Sequence, residues 1–144
     1  MSYTQKYRDQ HQELLEFATK ISSYLNMASI ENDADEISKQ LNFLTGKLKM
    51  HLAIEDEFLY PTLKKHSDNN VQTMTEKFIH EMGGIAKAFM DYRAKWPTPT
   101  KIKENSKDFI KDTEAVFKVL KDRIDRENNQ LYALADKVCG SKAA

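Results

Sequence analysis

The sequence predicts an all-α protein, an up-down-up-down four-helix bundle forming a single domain over residues 1–144, and three observations carry that expectation. Only four glycines and three prolines punctuate 144 residues. Apolar residues recur at steps of three and four, which is the spacing of one face of an α-helix. The breaks between these stretches are short and polar, and short connections make successive helices antiparallel neighbours.

The first helix opens on Ser2 and Gln5 at capping-box spacing, and Tyr7, His11, Leu14, Ala18, Ile21 and Leu25 follow down one face. It is expected to end near Ala28. Asp33 and Glu36 repeat the capping signal, so the second helix is expected to start there. Ile37, Leu41, Leu44, Leu48, His51, Glu55 and Phe58 then alternate steps of four and three until the helix stops around His66. After the turn-prone SDNN at 67–70, a third helix carries Val71, Met74, Phe78, Ile85, Phe89, Tyr92 and Trp96, and PTP at 97–99 ends it. A fourth begins between Thr98 and Ser106. Phe109, Thr113, Val116, Leu120, Arg123, Glu127, Leu131, Leu134 and Val138 line its inner face, and its end is expected near Gly140.

Charge excludes some partners. Lys+Arg and Asp+Glu number 22 each, so no net field draws the chain to nucleic acid or to an anionic membrane. No apolar run reaches the length of a membrane span, and the start lacks the pattern of a signal peptide, so a cytoplasmic protein is expected. With one cysteine, Cys139, no internal disulfide can form.

The polar residues on the inner faces are the informative ones. In an antiparallel bundle, residues equally far from a shared loop lie at one height, each residue adding about 1.5 Å. His11 lies about nineteen residues before a loop near position 30 and His51 about twenty-one after it, a mismatch of roughly 3 Å. The same counting brings His80 and Glu81 to the level of His51 and Glu55, and Arg123 and Glu127 to roughly that layer. His51 and Glu55 at i, i+4 continue an apolar stripe, where a mere surface pair of that spacing would sit off it. Carboxylates buried without partners cost kilocalories each, so such a layer needs a cation, a proton or an internal ion pair. Imidazole with carboxylate suits iron, manganese or zinc.

At HQELL (11–15), HLAIEDEFLYP (51–61) and RIDRENNQLYALAD (123–136) the chain resembles the hemerythrin-like, or HHE cation-binding, domains, over essentially its whole length. The second-helix motif of that family, His-x-x-x-Glu, an acidic residue and a Leu-Tyr/Phe-Pro end, is matched by His51, Glu55, Asp56, Glu57, Leu59, Tyr60 and Pro61. The resemblance implies a four-helix bundle that usually holds a pair of non-haem irons and binds dioxygen or responds to oxygen, nitric oxide or iron. It also implies that His11, His51, Glu55 and Glu127 are metal ligands.

Two departures modify the expected set. Arg123 stands where the fourth-helix motif has a histidine, and a guanidinium has no lone pair to give. The third-helix ligand is usually a histidine, yet at about 100° per residue His80 points nearly opposite to Phe78, Ile85, Phe89 and Tyr92, while Glu81 flanks that stripe. Glu81 is therefore the expected ligand, with His80 as the alternative if Gly83 and Gly84 kink the helix. Glu55, Glu81, Glu127 and Arg123 together contribute −3 + 1 = −2, the charge that one divalent ion neutralises; a bridging hydroxide and a small carboxylate would admit two. Arg123 is expected to position a carboxylate or hold an anion beside the metal.

The expected function is non-haem metal binding, with iron as one or two ions and manganese or zinc as alternatives, and dioxygen or another small diatomic as ligand. The competing reading is a metal-free bundle in which Arg123 pairs with Glu55 and Glu127 and the protein serves as an interaction module. No nucleotide loop or nucleophile arrangement is visible, so binding is expected ahead of catalysis, with simple oxidase or peroxidase chemistry at iron as the enzymatic reading. Gly83 and Gly84 on the outer side leave room for a second copy, a homodimer.

Overall fold

In the computed structural model, residues 3–143 are described, with side chains through Cys139; Ser2, half of the expected first capping box, lies outside them. α1 (Gln5–Ser22) is followed by α2 (Met27–Ile54), which runs through a π-helical turn, π1 (Glu55–Leu59), into α3 (Tyr60–Lys64). After α4 (Asn69–Lys95) and the short α5 (Pro99–Glu104), α6 (Ser106–Arg126) continues through a second such turn, π2 (Glu127–Leu131), into α7 (Tyr132–Ala143). The four long rods close a bundle: α1 packs on α2 and α6, and α4 packs on α3 and α6.

Three helix starts, those of α2, α4 and α5, are set by side chains that accept orphaned backbone N–H groups. Asn26 takes the Ser29 N–H, Asp68 that of Asn70 and Thr98 that of Lys101. The first loop therefore lies earlier than periodicity placed it, since α1 stops at Ser22 and α2 starts at Met27. The capping signal at Asp33 marks a bend instead: its backbone is non-helical (φ −125°, ψ 23°) inside α2. Counting height from the true loop would separate His11 and His51 by about 20 Å of axial rise. Their ring centroids are 4.6 Å apart, because α2 does not run as one straight rod from Met27. The fourth rod starts twice, as α5 and α6, with a break at Asn105 (φ −144°, ψ 63°). Its helix continues past Gly140, where an end was expected. Gly83 and Gly84 lie within continuous α4, facing open space, and produce no kink.

The two π turns reset the inward face. Each admits one extra residue, so Leu59 and Tyr60, and likewise Leu131 and Tyr132, are buried where a plain α-helix would have rotated one of each pair outward. Phe58, expected on the inner stripe, is 55% exposed for this reason. Pro61 has no N–H for the Glu57 carbonyl and its ring would crowd that carbonyl in an α-helix; the wider turn just before it relieves both problems. Before π2 the buried residues of α6 are Phe109, Thr113, Phe117, Leu120 and Ile124, which leaves Val116 and Arg123 half-buried on the flank.

The core is divided. One apolar cluster holds Leu14, Ile21, Leu41, Leu44, Leu48, Ile85, Phe89, Phe109 and Leu120, and a second holds Leu59, Leu63, Val71, Phe78, Leu131 and Ala135. Fully burying a side chain of this size contributes roughly 1.5–3 kcal/mol, so the two halves hold the rods in register around the polar layer between them. No described helix is long and apolar enough to cross a membrane.

Candidate metal centre

Between the two apolar halves lie His11 from α1, His51 from α2 and the first residues of the two π turns, Glu55 and Glu127; all four are at most 1% exposed. One donor atom from each falls within 4.8 Å of every other. His11 Nε2 is 3.2 Å from Glu127 Oε1, and His51 Nε2 is 3.1 Å from Glu55 Oε1.

Each imidazole is held from behind. His11 Nδ1 donates to Asn128 Oδ1 at 2.8 Å, and His51 Nδ1 donates to Gln10 Oε1 at 2.6 Å. A carboxamide oxygen only accepts, so the protons sit on Nδ1 and the Nε2 lone pairs face the cluster, the tautomer a metal ligand requires. Burial, with the His51 ring beside it, lowers the His11 pKa to about 4, so this imidazole is neutral.

The carboxylates behave oppositely. Burial and the Glu55 charge push Glu127 well above the usual range, so it keeps a proton. Burial also opposes ionisation of Glu55, but its Oε2 accepts the Tyr132 hydroxyl proton at 2.6 Å, which favours the charged form. Two like charges this close do not both ionise without a cation. The proton on Glu127 occupies the role a metal ion would take.

Two tyrosines complete the centre. Tyr132 Oη donates to Glu55 Oε2 at 2.6 Å and lies 3.1 Å from His11 Nε2 and 3.4 Å from His51 Nε2. Tyr60 Oη donates to Glu127 Oε2 at 3.2 Å, with Glu55 Oε1 at 3.5 Å. The π turns place them: the Tyr60 N–H bonds to the Glu55 carbonyl and the Tyr132 N–H to that of Glu127, so each ring returns to the layer of its own carboxylate.

Glu81 and His80 do not join the cluster. Glu81 Oε2 accepts from Arg123 Nη1 at 2.6 Å and lies 3.1 Å from Arg126 Nη1, while His80 is exposed. Periodicity turned His80 outward correctly, but the electrostatic partner of Glu81 is the fourth rod. Arg123 pairs with Glu81 and not with Glu55 or Glu127, because its place before π2 leaves it on the flank; the buried Arg123–Glu55–Glu127 network is corrected accordingly. With the proton on Glu127 the site carries −1, from Glu55, and a cation that displaced that proton would meet −2.

The Hemerythrin HHE cation binding domain matches residues 3–135. The chain belongs to that family. No curated protein and no solved structure gives a match. In this HHE domain the donor set fits a cation: two imidazole lone pairs and two carboxyl groups converge in a buried layer, and one carboxyl holds a proton that a cation can displace. A crevice of about 140 Å³ lined by Gln10, Glu13, Lys47, Met50 and His51 reaches the outer edge of the site, whereas the larger grooves touch none of the four donors. Sequence reasoning missed Tyr132, Tyr60, Asn128 and Gln10 as parts of the centre. A signal for the tyrosines was available: EDEFLY at 55–60 and ENNQLY at 127–132 share Glu-x-x-x-Leu-Tyr. For Gln10 and Asn128 there was none, since each acts across a helix interface.

Proposed function

We propose that this HHE domain binds iron through His11, His51, Glu55 and Glu127 and uses it to bind or sense a small diatomic ligand, dioxygen or nitric oxide. The observation that carries the reading is the convergence of four buried donor atoms from three rods within 4.8 Å. Mixed imidazole and carboxylate donors suit iron, with manganese and zinc next. Iron held there would supply a redox-active Lewis acid.

The chain's own residues perform the remaining tasks. Asn128 and Gln10 fix the tautomers, the apolar clusters keep bulk water from the donors, and the small crevice beside His51 favours a small ligand over an extended substrate. Arg123, engaged by Glu81, braces α6 against α4.

The test is elemental analysis of protein purified without affinity metals or chelators, with absorption spectra under nitrogen, in air and with nitric oxide. Near-stoichiometric iron, a spectrum that responds to either gas, and loss of iron in His51→Ala are expected. A folded protein that takes up no metal at any concentration tried would refute the proposal.

A further inference from the structure

The phenol oxygen of Tyr132 is poorly served as a hydrogen-bonding group. It has one proton, spent on Glu55 Oε2, yet the lone-pair nitrogens of both histidines also stand against it at 3.1 and 3.4 Å. With Nδ1 of each ring donating to a carboxamide, neither Nε2 offers a proton in return. Acceptor atoms crowded in this way are drawn together by a cation.

The spacing is compatible with a shared ion. Donors about 2.1 Å from a shared first-row ion lie roughly 3.0 Å apart at an octahedral right angle and roughly 3.4 Å apart at a tetrahedral angle. The His11–Tyr132 and His51–Tyr132 separations fall in that interval, as do the 3.1 and 3.2 Å His–Glu pairs. Tyr60 differs, because its recorded partners are carboxylate oxygens and neither imidazole is among them. Arg8 lies 5.6 Å from the centre of the Tyr132 ring and is itself engaged by Asp136 and the Asn128 carbonyl.

We propose that Tyr132 is a fifth metal ligand, binding through its phenolate oxygen and completing with His11, His51, Glu55 and Glu127 a trianionic set for a single iron(III) ion. This rests on the metal-binding reading above. The hydroxyl proton passes to solvent as the ion enters, along with the proton on Glu127. Three anionic donors balance the three charges of iron(III). α4 adds none of the four clustered donors, and its Glu81 is held by Arg123 and Arg126.

The experiment loads the metal-free full-length protein with one equivalent of ferric citrate, removes excess reagent, and measures iron per chain, visible absorption and resonance Raman spectra. Wild type is expected to hold one iron and to show a phenolate-to-iron charge-transfer band with enhanced tyrosinate ring modes, and Tyr60→Phe, whatever it does to affinity, is expected to keep band and modes in the iron-loaded fraction. Tyr132→Phe is expected to lose band and modes and to bind iron at least tenfold more weakly. Should Tyr132→Phe fail to fold, Tyr132→His keeps a donor at the position and must still lose the band. Iron bound without a tyrosinate signature, a signature that survives in either Tyr132 variant, or two irons per chain would overturn the inference while leaving the metal site standing. Failure of wild type to bind any metal would overturn both.

Discussion

His11 gives the sharpest quantitative expectation, through the acid sensitivity of the metal-free protein. Its ring is 1% exposed, and its pKa falls from 6.5 to about 4 through burial and then the neighbouring His51. A base with a depressed folded pKa leaves the unfolded chain binding more protons between the two values. Its contribution to stability is therefore complete above pH 6.5 and is lost as pH falls towards 4. The shift corresponds to about 3 kcal/mol across the window, of which about 2 kcal/mol is gone by pH 5. Glu127 slopes the other way, because an acid with a raised folded pKa weakens the fold as pH rises above 4.5. Comparison with a variant therefore isolates the histidine. The assay is urea unfolding of metal-free wild type and His11→Gln, followed by circular dichroism from pH 7 to pH 5. Wild type should lose about 2 kcal/mol more than the variant over that range. Parallel curves for the two proteins would show that His11 is not buried as the neutral ring, and the tautomer assignment would fall with it.

Gln10→Ala and Asn128→Ala, which remove the acceptors behind the two imidazoles, should each weaken metal affinity about 10–100-fold with helicity unchanged, read by metal titration against a competing chelator. Leu59→Ala should destabilise the protein by about 2–5 kcal/mol and Phe58→Ala by no more than about 0.5 kcal/mol, measured by denaturant unfolding, and the reverse order would place π1 wrongly. Arg123→Ala should cost less than about 1 kcal/mol, because the pair with Glu81 is partly solvated and Arg126 remains, and it should leave metal content unchanged. A loss of several kcal/mol there would refute the partly solvated reading of the Arg123–Glu81 pair.

The sequence by itself determined the all-helical class, most of the inward faces, and a layer holding His11, His51, Glu55 and Glu127, to which it added Glu81. Those follow from a local rule: at 3.6 residues per turn, a histidine or glutamate that continues an apolar stripe is carried inward wherever the rod packs. His51 and Glu55 were legible on that ground, and so was the outward turn of His80. The first loop was not, because Asp33 offers the same start signal for a bend as for a new helix.

Only the tertiary structure decided the rest. The π turns insert one residue each, so inward positions after Glu55 and Glu127, Leu131 excepted, are shifted, and no count at 3.6 residues per turn reveals that Phe58 faces solvent while Tyr60 and Tyr132 enter the site. The partner of Glu81 depends on the rotation of α6 against α4, which brings Arg123 to it and leaves Glu55 and Glu127 to a proton or a cation. A helical face is a property of a few neighbouring residues. The meeting of Tyr132 with His11 and His51 is a property of how three rods settle against one another, and packing alone fixes that.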